Sequence, residues 1–246
     1  MAENLPWWKA KELSLLRKTD ASLRGAFASA GDSFLIVTEG TVSEPVYFQL
    51  LRESLQLSNV TVKVMPGKAS DPRHVVQSAA DEVKALALRV RRKKIAVTEL
   101  ERFDHVWAVI DTDVAVRENF WNDVIQKARD LKVHLAHSTP CFEYWLLLHL
   151  TMTTRGDLVD GDAAKKAFRH EFGSDYSTNR QVTERAFTDL LPKWPIVFKN
   201  AQAVRKYHES AGTSSPANPS TEVDLLACAL NDSASPHIRK IPCREL

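Results

Sequence analysis

Residues 104–113 read Asp104-His-Val-Trp-Ala-Val-Ile-Asp111-Thr-Asp113. The apolar run in this segment has the length of a buried strand, and two carboxylates one residue apart follow at its carboxyl end. Ligands bind at that end of the strands in open parallel sheets. Asp111 and Asp113 are therefore candidates for a site with the hard oxygen ligands that Mg²⁺ or Mn²⁺ prefers. Taken alone, the pair is explained equally well as an Asp-rich turn.

A second apolar segment, residues 34–38, ends in Glu39-Gly40. Glutamate is a poor turn former, so a turn does not explain Glu39. If the two strands are neighbours, Glu39 meets Asp111 and Asp113 across one crevice. Three carboxylates there would repel one another unless a cation neutralised them. We therefore expect Glu39, Asp111 and Asp113 to bind Mg²⁺ or Mn²⁺.

Strand-length apolar segments alternate with helical patterns from Ser33 onwards, which predicts an α/β fold. We expect a Rossmann-like parallel sheet of about four strands with helices on both faces, followed by a C-terminal helical lobe. The predicted strands cover residues 34–38, 60–65, 106–110 and 133–136, and the predicted helices cover 43–57, 73–100 and 117–131. The predicted units are an N-terminal arm (1–32), a catalytic domain (33–150) and a helical lobe for substrate or partner (151–246), in which no strand pattern is convincing.

The segment from Pro140 to Leu150 is apolar nearly all round except at Glu143 and His149, which predicts a deeply buried helix. A carboxylate in such a helix is costly unless it is paired or binds a metal. Glu143 is therefore a candidate fourth acid, as a ligand or as the group that orients a water. A first-turn glutamate satisfied by backbone amides is the alternative. His149 lies on another helical face, and we expect a structural role for it.

Basic residues suggest where a nucleic acid could bind. The densest run is Arg89-Val-Arg91-Arg92-Lys93-Lys94, which is read either as a phosphate-backbone contact or as a solvated helix face. Lys68 follows a predicted strand on the same side as the acids and could steady a phosphate. The candidate substrate-binding residues are Lys68, Arg91, Arg92 and Lys93.

The overall composition sets limits on localisation and cofactors. The 246 residues carry a net charge of +2 with 44% hydrophobic residues, and no apolar run approaches the roughly 20 residues of a membrane helix. The N-terminus has no apolar leader pattern. Three cysteines without a Cys-x-x-Cys spacing indicate reduced thiols rather than zinc. We expect a cytoplasmic protein that does not bind a membrane.

Several motifs occur together in one order along the chain. They are Glu39-Gly-Thr-Val-Ser-Glu44-Pro45-Val-Tyr47-Phe48, Pro66-Gly67 with Asp71-Pro72, Asp111-Thr-Asp113, Thr139-Pro140-Cys141-Phe142-Glu143-Tyr-Trp145-Leu-Leu-Leu-His149 and Asn218-Pro219-Ser220-Thr221. The acidic set resembles the Toprim metal site of topoisomerases, primases and OLD-type nucleases, and the whole set is more closely similar to the RloB-like family. Ser43 and Thr139 are mild departures from the family pattern. Tyr176-Ser-Thr178 lacks the lysine of a family Tyr-x-Lys motif, so no basic catalytic residue is assigned there.

This resemblance implies a Toprim-type nuclease that uses Mg²⁺ or Mn²⁺ to cleave tRNA, other RNA or DNA. It also implies a role as an effector of bacterial anti-phage defence, including abortive infection, with an ABC-type ATPase or another sensor as partner. A homodimer is an alternative to the monomer. A non-catalytic adaptor of the same fold is the main alternative. A haloacid-dehalogenase-like phosphatase is weaker, because it would leave Glu39 without a function.

Overall fold

A computed structural model of the protein describes residues 32–64, 71–92, 102–173 and 179–240. Its centre is a five-stranded sheet with the strand order β2-β1-β3-β4-β5. The strands are β1 (Phe34–Thr38), β2 (Val60–Val64), β3 (His105–Asp111), β4 (His134–Thr139) and β5 (Ser220–Thr221). The first four strands are parallel, and β5 pairs antiparallel with β4. The predicted four-stranded parallel sheet is thus present, with one added edge strand.

Helices cover both faces of this sheet. They are α1 (Ser43–Ser54), α2 (Pro72–Arg91), α3 (Asp113–Arg117), α4 (Trp121–Leu131), α5 (Phe142–Leu147), α6 (Gly161–Phe172), α7 (Arg180–Leu190), α8 (Trp194–Ala211) and α9 (Val223–Ser233). All five side chains of β1 are buried, and the four apolar ones alternate between two separate cores. Phe34 and Ile36 face a core with α1 and α5 to α9, whereas Leu35 and Val37 face a core with α2 and α4. This alternation is what a strand covered on both faces requires.

The C-terminal half shares the larger core rather than having a separate one. Phe187 and Trp194 belong to the same buried cluster as Tyr47 of α1 and Trp145 of α5. Strand β5 also comes from this half, which corrects the expectation that it contains no strand. Two polar residues are too few to show a period-two pattern, so only pairing with β4 identifies β5.

Two helix boundaries differ from those predicted. The helix expected over residues 117–131 begins at Trp121, because Asn119, between this helix and the short α3 before it, adopts a left-handed conformation with φ 60°. The helix expected over residues 73–100 ends at Arg91, and residues 93–101 lie outside the described part. The start of α2 is as expected, because Asp71 accepts the Arg73 backbone N–H at 2.8 Å and Pro72 takes the first helical position. None of the helices in the described ranges is long and apolar enough to cross a membrane.

Candidate functional site

The carboxyl edge of the sheet carries the three acids predicted to meet there. Register pairs Thr38 at the end of β1 with Val109, so the next residue, Glu39, emerges beside the end of β3. The Glu39 backbone N–H donates to the Val109 carbonyl at 3.2 Å. Asp111 is the last residue of β3, and Asp113 is the first of α3. The fold therefore brings Glu39, Asp111 and Asp113 to one edge because their strands are parallel neighbours.

Glu39 has a buried atom that lacks a partner. Its Oε2 atom is buried and accepts no hydrogen bond from the described residues. Burial raises the pKa of Glu39 to about 7; a backbone hydrogen bond at Asp111 opposes this shift, and the charges of Asp113 and Asp71 add to it. An orphaned carboxylate oxygen of this kind needs a proton or a cation.

Glu44 joins these acids from the first turn of α1. Its side chain is only 5% exposed, and it accepts the Gly40 backbone N–H at 3.1 Å. The carboxylate lies so close over Gly40 that a Cβ there would be 1.9 Å from Oε2, which explains why glycine occupies this turn. Burial raises the pKa of Glu44 to about 7, and the charges of Glu143 and Glu39 contribute. The dipole of α1 favours a negative charge in this first turn, and the Glu44 charge also acts on Asp111.

Asp111 connects the edge of the sheet to helix α5. Its Oδ1 accepts the Phe142 backbone N–H at 2.9 Å. Burial raises the pKa of Asp111 well above its ordinary value, and the charges of Glu44 and Glu143 are the next causes. The carboxylates of Glu44 from α1 and Glu143 from α5 therefore repel the Asp111 carboxylate.

Glu143 lies in the first turn of α5 and is 6% exposed. One of its oxygens, Oε2, accepts the Cys141 thiol at 3.1 Å. Its charge acts on both Asp111 and Glu44. The structure thus places Glu143 with the other acids, as expected for a fourth acidic residue. We refer to Glu39, Glu44, Asp111, Asp113 and Glu143 together as the acidic cluster.

The acidic cluster is not arranged as a finished chelate. Within residues 32–64, 71–92, 102–173 and 179–240, no group of three or more His, Cys, Asp or Glu side chains is positioned to hold a metal ion. The carboxylates of Glu44, Asp111 and Asp113 are instead turned toward backbone amides, Asp113 Oδ1 accepting the Val114 N–H at 2.7 Å. The donor set still fits a divalent cation, because its oxygens are hard ligands and the buried Glu39 Oε2 lacks a partner. Cation binding would require side-chain rotations away from these amides.

Two of the four predicted basic residues, Arg91 and Arg92, lie away from the acidic cluster. Arg91 and Arg92 are exposed at the C-terminal end of α2, whose N-terminal end at Asp71 is the one near Glu39. A helix of 20 residues is about 30 Å long, so these arginines are far from the acidic cluster. Lys68 and Lys93 lie outside the described residues.

Lys165 is a basic residue near the cluster that the sequence does not single out. It lies on α6 and is half-buried. Burial works to lower the pKa of its ammonium, but the negative charges of Glu143 and Asp111 outweigh that effect and raise it. In the sequence, only the spacing of four residues between Gly161 and Lys165 indicates that the two lie on one face of a helix. That face could not be assigned to the acidic cluster until the structure showed how α6 packs.

His149 has the structural role expected for it. The side chain is fully buried, with Nδ1 3.1 Å from the Trp145 carbonyl and Nε2 3.2 Å from the Tyr47 hydroxyl. Burial lowers the pKa of His149 to about 3, so the ring is neutral at pH 7. Trp194 Nε1 donates to the same hydroxyl at 3.0 Å, which ties α8 to this core.

Comparison with known proteins places the chain in a family. A family model described as RloB-like protein matches residues 34–230, which is most of the chain. The searches of curated proteins and of solved structures found no match. The matched range contains the acidic cluster, α6 and the short strand β5. Since the match covers far more than half of its residues, the chain belongs to the RloB-like protein family.

Proposed function

We propose that this protein is a Toprim-type nuclease that hydrolyses phosphodiester bonds with Mg²⁺ or Mn²⁺. The observation that carries the proposal is the buried, unpartnered Glu39 Oε2 at a sheet edge where four further carboxylates act on one another. Such a concentration of negative charge destabilises the fold unless it serves a cation. Perturbed carboxylates at the carboxyl ends of parallel strands are typical of functional sites.

The residues of the chain divide into two roles in this proposal. Glu39, Asp111 and Asp113 would hold the cation. When bound, the cation supplies Lewis-acid polarisation of the phosphodiester and lowers the pKa of a water. Glu143 would orient the attacking water, since it lies beside Asp111 and is fixed in a first helical turn. Asp111 also positions Glu143, because it holds the start of α5 through the Phe142 N–H.

The proposal extends to the biological setting. Resemblance to the RloB-like family supports an effector of bacterial anti-phage defence that cleaves tRNA, other RNA or DNA. A nuclease that acted freely would endanger its host, so activation by an ABC-type ATPase or another sensor is part of the proposal.

The test is cleavage of labelled plasmid, single-stranded DNA and total tRNA by the full chain with Mg²⁺ or Mn²⁺. Glu39→Gln and Asp111→Asn are compared with Asp189→Asn, which removes one carboxylate from an exposed position on α7. Circular dichroism checks that each variant folds. Cleavage should require the metal and fall about 100-fold or more in both cluster variants, while Asp189→Asn stays at the wild-type rate.

Other outcomes would identify other functions. If the isolated chain cleaves nothing, the same variants are tested for phage protection in cells that express the chain with its activating partner. Protection that survives both Glu39→Gln and Asp111→Asn would show an adaptor rather than a nuclease. Hydrolysis of a phosphomonoester without cleavage of any phosphodiester would instead support a phosphatase.

A further inference from the structure

Helix α6 packs directly on the acidic cluster at its first residue. Gly161 is buried, and a Cβ added there would lie 3.6 Å from Asp113 Oδ2 and 3.6 Å from the Cys141 Cβ. The Cys141 thiol is also 3.7 Å from the Gly161 carbonyl. The backbone of α6 therefore lies against the cluster with no side chain between them at this position.

Lys165 follows Gly161 by four residues, so it lies on the same face of α6 one turn further on. The charges of Glu143, Asp111 and Asp162 act on its ammonium, which is half-buried. The ammonium forms no ion pair within 4.0 Å with a carboxylate of the described ranges. It is thus held within electrostatic reach of the acidic cluster without being bound to one of its members.

Arg73 is a second cation at this edge, but it is already engaged. Its guanidinium contacts Asp71 Oδ2 at 2.6 Å and lies 4.2 Å from the centre of the Phe120 ring. Arg91 and Arg92 are about 30 Å away along α2. Lys165 is therefore better placed than these arginines to receive a substrate anion beside the cluster.

We propose that Lys165 binds a non-bridging phosphate oxygen of the substrate next to the acidic cluster. This inference rests on the proposed function, because a phosphate approaches the carboxylates only when a divalent cation reduces their negative charge. Lys165 and the cation would then both attract the phosphate. A lysine ammonium is a compact charge with three donors, which suits a phosphate oxygen. Binding leaves the ammonium protonated and breaks no bond.

The test measures binding of inorganic phosphate by calorimetry to the full chain saturated with Mn²⁺. Lys165→Met should weaken phosphate binding about tenfold or more, as expected for loss of a hydrogen bond to a charged group. Lys165→Arg should retain most of the affinity, because it keeps the charge. Lys166→Met is the matched control, since it removes the same charge from an exposed neighbour on α6, and it should bind phosphate as wild type does.

Mn²⁺ affinity separates phosphate binding from a structural role. Loss of a positive charge near the carboxylates should leave Mn²⁺ affinity unchanged or increase it, whereas a merely structural lysine would weaken Mn²⁺ and phosphate binding together. If Lys165→Met does not fold, Lys165→Gln is measured in its place.

The outcomes distinguish the two proposals. Wild type that binds Mn²⁺, with equal phosphate affinity in Lys165→Met and Lys166→Met, overturns the assignment of Lys165 and leaves the nuclease intact. Wild type that takes up no Mn²⁺ overturns the metal-dependent function, and the assignment of Lys165 falls with it.

Discussion

Replacing Glu39 with glutamine should stabilise the metal-free protein above neutral pH. The substitution keeps the shape and one acceptor oxygen of the side chain but removes its charge from the acidic cluster. Because the pKa of Glu39 rises from 4.5 to about 7 on folding, the folded protein holds the Glu39 proton more tightly than the unfolded chain does. Ionising Glu39 at high pH therefore lowers the stability of the folded protein, whereas a glutamine does not ionise and causes no such loss.

The sign and size of the effect follow from this pKa difference. A raised carboxyl pKa contributes stability that is present below pH 4.5 and is lost as the pH rises to about 7. At about 1.4 kcal/mol for each pKa unit, the loss reaches about 3 kcal/mol at pH 8 and stays under about 1 kcal/mol at pH 5. Glu39→Gln should therefore be about 3 kcal/mol more stable than wild type at pH 8 and less than about 1 kcal/mol more stable at pH 5.

The assay is urea unfolding of both proteins with EDTA, at pH 5 and at pH 8. Glu53→Gln is the control, since Glu53 is an exposed residue of α1, and its stability should match wild type at both pH values. A Glu39→Gln protein that is no more stable than wild type at pH 8, or that gains the same amount at both pH values, would refute electrostatic strain at Glu39.

Three further results should follow from the same structure. At a free Mn²⁺ concentration of 100 times its Kd, wild type should be stabilised by about 2.7 kcal/mol, and its melting temperature in thermal denaturation should rise. The melting temperature of Asp111→Asn should not rise. An equal rise in both proteins would show that Asp111 is not a metal ligand. Gly40→Ala should destabilise the fold by about 1–3 kcal/mol and weaken Mn²⁺ binding, because the new Cβ would overlap the Glu44 carboxylate; unchanged calorimetric affinity would count against this contact. Tyr47→Phe should cost about 1–3 kcal/mol in urea unfolding, since the buried Trp194 N–H loses its acceptor, and a cost near zero would mean that another acceptor replaces the hydroxyl.

Local sequence patterns were sufficient to predict the strands that carry the acids. The apolar runs before Glu39 and Asp111 are strand-length and end abruptly in charge, so both the parallel sheet and its acidic edge follow from them. Asp71 before Pro72 likewise predicts the start of α2. These features depend on residues that are close in sequence, and hydrophobic periodicity and helix-capping preferences are patterns of such residues.

Other features depend on residues that are distant in sequence. Strand β5 has two polar residues and exists because β4 offers it an unpaired edge. The break between α3 and α4 requires a left-handed Asn119. Neither of its neighbours is a proline or a glycine, so the sequence does not predict the break. The place of Arg91 and Arg92 away from the acids follows from the length and direction of α2 rather than from their own composition.

The sequence by itself determined the α/β class, the order of the main elements and the candidates Glu39, Asp111, Asp113 and Glu143. Only the tertiary structure showed that the charge of Glu44 acts on Asp111, and only it brought Lys165 of α6 to the side of these acids. The physical reason is that secondary structure is encoded over a few neighbouring residues, whereas Coulomb interaction and desolvation depend on distances between segments up to about a hundred residues apart, which only packing decides.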